Sequence, residues 1–307
     1  MTAMYWPFVR DEVPRILGLG DREPASPTYG CFDRHYWHYA LADFPDARFQ
    51  EVALLLALLH RHALPGNALF DTEAALAWTR AAVRFWEDRR ARDGSVAEAY
   101  PRERSFCATA FTFAAVTEVA LLLAWDAPPG WQRTADWLTR ADNVEVANQM
   151  AAAAAALAHW SVLSGEPRYA ERAREKVERI LARQRDDGAF SEYGGGDVGY
   201  QTITLGQLVR YRQHAKDDTL TGALERAVAF VEARVDADGR HDASAGSRRT
   251  QFICPFGLLV LGSDAAVRHR RGLEAGHVLH PGWLDDRYVI PFATDFLAAA
   301  LETERGS

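Results

Sequence analysis

A chain of 307 residues, 48% hydrophobic and 25% charged, is apolar enough to bury a substantial core, which excludes a disordered protein. A formal net charge of -7 and a pI near 5.8 exclude a surface built throughout for nucleic acid, so no nucleic-acid partner is expected. Cys31, Cys107 and Cys254 are widely separated and form no C-x-x-C pair, which points to a reducing compartment and away from a disulfide framework or a zinc site; no metal or other cofactor is expected.

The N-terminal stretch MTAMYWPFVRDEVPRI shows no basic region followed by an apolar run, so no export signal is read and a cytoplasmic location is expected. A first helical segment, Trp6 to Leu19, is short and interrupted by Pro7 and Pro14. The aromatic corner PTYGCFDRHYWHY then leads into the apolar ARFQEVALLLALLH. Thr72 to Arg92 is charged and amphipathic, RDGSVAEAY turns the chain, and an apolar run follows to Trp125. That run is long enough to suggest a membrane span, but Glu118 and several threonines interrupt it, and a buried helix is the better expectation. TRADN precedes the alanine-rich VEVANQMAAAAAALAHWSVL. In Pro167 to Arg185 the apolar positions Tyr169, Ala173, Val177, Ile180 and Leu181 recur at helical spacing among charged residues. RQRDDGAFSEYGGGDVGYQ turns into Gly199 to Arg212. Leu220 to Val235 is again amphipathic, DADGRHDASAGSRR turns, and TQFICPFGLLVLG runs apolar. Last, HPGWLDDRY precedes VIPFATDFLAAAL.

One order is thus written about six times: a wet helix, a polar corner, an apolar helix. Gly94, Gly188 and Gly239, each preceded by Asp, mark three equivalent corners where a helix stops and a left-handed residue is needed. Six apolar helices need neighbours on all sides, which predicts an all-α, closed (α/α)6 toroid; an open α-solenoid is the rival. Strand signals are sparse and no linker divides the chain, so residues 1–307 are expected to form one domain.

In a toroid the six corners share one mouth, and their side chains are the candidates for function. The candidate acids and bases are Glu98, Glu192, Tyr193, Tyr200, His35 and His38. Candidate substrate contacts are Asp33, Arg34, Tyr36, Tyr39, Tyr100, Arg104, Asp197, Gln201, Arg248, Arg249, Trp283 and Tyr288. Simpler roles stand beside these. A histidine in an aromatic run is as often packed as chemical, Arg248 and Arg249 have acids or helix carbonyls to pair with, and Asp142 or Asn143 reads as an N-cap. The pairs Glu98/Tyr100 and Glu192/Tyr193 resist such roles better, because turn geometry does not demand tyrosine. The glycines of 194–196 suggest backbone that approaches a ligand closely. Aromatic faces interleaved with charge suit an oligosaccharide substrate, and also an isoprenoid cation.

The strings DGSVAEAYPRERSFCATAF, EYGGGDVGY and GSRRTQF, with DRHYWHYALADFP upstream, resemble a bacterial family associated with extracellular-polysaccharide and O-antigen gene clusters. The layout is similar to the helical toroid domains of heparinase II/III-type and alginate polysaccharide lyases, whose second, β-rich domain has no counterpart in these 307 residues. The resemblance implies a carbohydrate-active enzyme using acid–base chemistry. Elimination or epimerisation needs an Arg to neutralise a uronate carboxylate and a base for the C5 proton; hydrolysis needs two carboxyl groups roughly 5 to 9.5 Å apart, for which Glu98 and Glu192 lead. RQRDDGAF also resembles a structural repeat of triterpene cyclases, which makes an isoprenoid cyclase the alternative. A non-catalytic glycan-binding toroid is a further one. Oligomeric state is not legible.

Overall fold

The helices start where side chains can satisfy their first free N–H groups: Thr72 accepts from Ala75 N (3.2 Å), Ser105 from Ala108 N (3.0 Å) and Asp197 from Tyr200 N (3.1 Å). Pro7 and Pro14 act similarly. Both occupy first-turn positions, where a missing N–H costs nothing, so they begin two short helices rather than break one.

A computed structural model describes residues 4–215 and 217–305. In chain order the α-helices are α1 (Trp6–Arg10), α2 (Val13–Leu19), α3 (Arg34–Trp37), α4 (Val52–Arg61), α5 (Glu73–Arg89), α6 (Phe106–Leu123) and α7 (Gln132–Arg140). They continue as α8 (Ala147–Ser164), α9 (Pro167–Leu181), α10 (Val198–His214), α11 (Thr221–Glu232), α12 (Pro255–Val260), α13 (Asp264–Glu274) and α14 (Asp286–Arg305). The apolar helices α4, α6, α8, α10, α12 and α14 touch in that order, and α14 returns to α4. This contact closes the ring, so the chain is an (α/α)6 toroid and not an open solenoid. The more polar partners pack outside: α5 on α4, α7 and α9 on α8, α11 on α10, α13 on α12, and α1 and α2 on α14. A continuous buried cluster runs from Tyr5 to Leu301.

The inner wall explains its composition. Six consecutive alanines of α8, Ala151 to Ala156, are buried, and their small side chains let α6, α9 and α10 approach this one helix closely. The membrane-length run is α6; its Phe113 and Val116 are fully buried between ring neighbours. The fifth inner helix is shorter than its apolar run. Pro255 starts it at its first position and disfavours helix at Cys254, which is extended, so 250–254 stay outside the helix.

Gly94, Gly188 and Gly239 all have positive φ, of 94°, 89° and 77°. Each also lies against the backbone of the next outer helix: an added Cβ would stand 2.4 Å from Thr134 N, 2.2 Å from Arg226 O and 2.6 Å from Arg268 O respectively. The repeated glycine therefore serves two needs, a left-handed corner and a close backbone crossing.

Candidate functional site

Every one of the six corners sends a side chain into a central cavity of about 390 Å³ at one end of the ring: Arg48, Glu98, Asn148, Glu192, Arg248 and Arg287. The size falls within the roughly 300–1,000 Å³ of small-ligand sites. Leu54, Phe111, Ile203 and Phe292 from the inner helices, with Phe252 from the segment before α12, form an apolar wall below them.

Glu192 is fixed by three corners. Its own N–H donates to Gly195 O (2.9 Å), the neighbouring Tyr193 N–H donates to Glu145 O (2.8 Å), and the Ser247 hydroxyl donates to Glu192 O (2.8 Å). Its carboxyl is buried; Asn148 Nδ2 donates to Oε2 at 2.9 Å, while Oε1 has no hydrogen-bond partner among the described residues. Burial pushes the acid up to about 7, with Asp197 raising it further and the Asn148 donor and Arg248 opposing. It therefore exchanges protons at neutral pH.

Arg248 lies over the Tyr193 ring, 4.5 Å from its centroid, and reaches the Tyr200 hydroxyl. It has no carboxylate within ion-pair distance among the described residues, whereas the other cavity arginines do: Arg48 pairs with Glu51, Arg210 with Glu118 (3.1 Å), and Arg287 with Asp46 (2.6 Å) and Glu98. Tyr193 holds a left-handed backbone, φ 52°, a conformation costing a non-glycine residue about 1 kcal/mol or more. Burial raises Tyr200, so its phenol stays protonated at neutral pH.

The cavity thus collects Glu98, Glu192, Tyr193, Tyr200, Arg248 and Tyr288 of the sequence candidates. His35 and Asp33 line a neighbouring groove instead, and the Asp33 carboxylate caps α3 by accepting from His35 N (3.1 Å). His38 packs on Trp37 and Tyr39, and Arg34 bonds Gly18 O (2.8 Å) beneath Tyr39. Tyr36, Tyr39, Tyr100, Arg249 and Trp283 do not line the cavity, and Arg104 pairs with Asp93 at 3.1 Å. Asp197 caps α10 and binds Arg248 N (3.1 Å) and Thr250; Gln201 is buried, its Oε1 accepting from Phe190 N (2.9 Å). These two carry the corner's shape rather than face the cavity.

Two local expectations change. Asp142 is not an N-cap but an ion-pair partner of Lys176 (2.7 Å) and Arg179. Of the glycines of 194–196, two admit protein neighbours: a Cβ on Gly195 would meet Ser247 at 2.6 Å, and one on Gly196 would meet Ala189 at 2.8 Å, whereas Gly194, at φ 79°, has no described atom within 4 Å of an added Cβ. Glu51, Gln207, Arg210 and Asp295 also line the cavity and are not among the sequence candidates. Asp295 is buried and pushed up to about 6 by that burial, with Arg210 opposing. Only Asp295 carries a sequence signal, as the one charge in VIPFATDFLAAAL. Among the described residues no three His, Cys, Asp or Glu side chains group to hold a metal ion.

No protein-family model matches the sequence, nor does any curated protein. Solved structures do match its shape. A polysaccharide lyase superposes with a TM-score of 0.61 at 11% identity over 97% of each chain. A glycosyl hydrolase of family 88 from Bacteroides vulgatus gives 0.56 at 9% identity, over 88% of this chain and 97% of the other. A chondroitin AC lyase from Streptomyces coelicolor A3, solved with chondroitin sulphate, gives 0.54 at 14% identity, with 97% of this chain matching 48% of that one. The chain shares the helical toroid of these polysaccharide lyases and glycosidases.

Proposed function

We propose that the chain is a carbohydrate-active enzyme that cleaves a uronate-containing polysaccharide, or its precursor, by β-elimination in the central cavity. The observation that carries this reading is Arg248, a cavity guanidinium without a carboxylate partner among the described residues, beside Glu192, a carboxyl that titrates near 7. An uncommitted cation next to a proton-exchanging acid is what a uronate requires.

In this mechanism Arg248 binds the uronate carboxylate and stabilises the charge that develops as the C5 proton leaves. The Glu192 carboxylate takes that proton; at a pKa near 7 it is a stronger base than an ordinary carboxylate and remains partly ionised at neutral pH. The C5–H electron pair becomes the C4–C5 double bond, the C4–O bond breaks, and the leaving oxygen takes the Tyr200 phenol proton. The proton on Glu192 then returns to Tyr200 through solvent, restoring both groups. Tyr193 acts through Arg248, supporting its guanidinium from below.

Hydrolysis by two carboxyl groups finds less support. Of the other cavity carboxylates, Glu98, Glu51 and Glu118 are each paired with an arginine, and Asp295 is buried, accepting from Phe256 N (3.1 Å) beside Arg210.

The test is turnover of uronate oligosaccharides, following ultraviolet absorbance of an unsaturated product together with new reducing ends. Elimination raises both signals. Glu192→Gln and Tyr200→Phe should each reduce the rate about 10²–10⁴-fold with the fold intact. Reducing ends without absorbance would replace elimination by hydrolysis, and conversion of prenyl diphosphates instead would restore the isoprenoid alternative.

A further inference from the structure

Beside the central cavity runs a wider groove that shares Glu98, Ala99 and Arg287 with it. Arg287 forms the sill between the two spaces, its guanidinium bridging Asp46 and Glu98. A ligand longer than the cavity therefore has a continuous path over this bridge. Beyond it the surface offers Phe44, the exposed Leu41 and the exposed His35. The segment between them passes through Ala40 with φ 49°, a left-handed conformation that a plain turn fills more cheaply with glycine.

We propose that this groove is a second sugar subsite, and that it accepts a neutral residue adjoining the reacting uronate, so that the substrate alternates uronate with neutral sugar. This deepens the proposed elimination and rests on that placement of the uronate at Arg248. Two features give the groove its preference. Its apolar and aromatic side chains suit the C–H face of a sugar ring. Its arginines are already engaged: Arg15 bonds Asp286 Oδ1 (2.8 Å) and Leu284 O (2.8 Å), and Arg287 holds Asp46 and Glu98. Asp33 and Asp285 add further carboxylates, so a second uronate would meet negative charge with no cation to offset it.

The test uses the Glu192→Gln protein, which should leave substrates intact, and measures binding by calorimetry. The probes are hyaluronan di- and tetrasaccharides, which alternate glucuronate with a neutral amide sugar, and oligogalacturonates of the same lengths. The tetrasaccharide of the alternating series should bind at least about tenfold tighter than its disaccharide, and the homopolymer should show no such gain. Adding His35→Ala or Phe44→Ala should return the tetrasaccharide to disaccharide affinity while leaving the disaccharide unchanged, which also shows that the variants are folded. Equal affinity at both lengths, a gain that survives both substitutions, an equal gain for the homopolymer, or no binding by any probe would overturn the subsite. Length-dependent binding in this protein with no unsaturated product from the unsubstituted chain would instead sink elimination and leave the groove assignment standing.

Discussion

Glu192 carries an unfavourable burial that makes sense only through its use. Its carboxyl has one donor, Asn148, and one oxygen with no partner among the described residues. Because its pKa rises from 4.5 to about 7 on folding, the folded chain keeps a proton that the unfolded chain has already lost. Stability on this account is fullest below pH 4.5 and declines as pH rises through 7, by on the order of 3 kcal/mol. Glu192→Gln should therefore gain stability relative to the unsubstituted protein between pH 5 and pH 8 in denaturant titrations; a constant difference across that range would contradict the burial account. Arg248→Ala should lose about 10–100-fold in kcat/KM toward uronates and, in binding measured by calorimetry, should weaken uronate oligosaccharides while changing little for analogues whose carboxylate is reduced to an alcohol, which bind without being turned over. Equal losses on both would mean that Arg248 does not meet the carboxylate. Glu192, Tyr193 and Arg248 were legible because tyrosine and arginine at a glycine-rich corner exceed what a turn needs. Asp197 and Gln201 sit in the same string yet are spent on capping and on backbone carbonyls, a distinction that depends on side-chain direction. Arg210 and Asp295 are not legible, since Arg210 reads as one of two arginines near a helix end and Asp295 as a lone charge in an apolar run, and neither reveals the cavity it faces.

At the scale of elements, the corners were readable because their chemistry is local. Asp-Gly at the end of an amphipathic helix specifies a left-handed stop whatever the surroundings, and three such corners have positive φ. The second need, backbone contact with the next outer helix, comes from tertiary packing and is silent in sequence. Gly188→Ala should cost at least about 2 kcal/mol in thermal or denaturant unfolding, since it adds a left-handed penalty to a 2.2 Å approach to Arg226 O. A cost near zero would show that the crossing is loose. Ala154→Leu should cost about 1–3 kcal/mol by overfilling the wall of α8, without altering the cavity corners. The shortened α12 is not legible, because the apolar run continues through Pro255 on both sides and apolar pattern alone does not separate extended from helical segments there.

Across the whole molecule, ring closure converts distant corners into one site. Glu98, Glu192, Arg248 and Arg287 are separated by up to 189 residues between Glu98 and Arg287, yet they line one cavity because α14 returns to α4. The repeat in the sequence implied that circle, although it could not supply the pairings that neutralise Glu98, Glu51 and Glu118 and leave Glu192 and Arg248 uncommitted. Removing residues 294–305 should uncover the faces of α4 and α12 that α14 meets and take the buried Phe296 away from Tyr5, Phe8 and His269, a side chain worth about 1.5–3 kcal/mol of burial, and should abolish a cooperative thermal transition. The most direct test of the central claim is the pH dependence of kcat/KM for formation of unsaturated uronate product. With Glu192 as the base, the rate should rise with pH through an ionisation near 7 and level off above it, and Glu192→Gln should remove that ionisation. A rate that falls through pH 7, or an ionisation that persists in Glu192→Gln, would contradict the assignment.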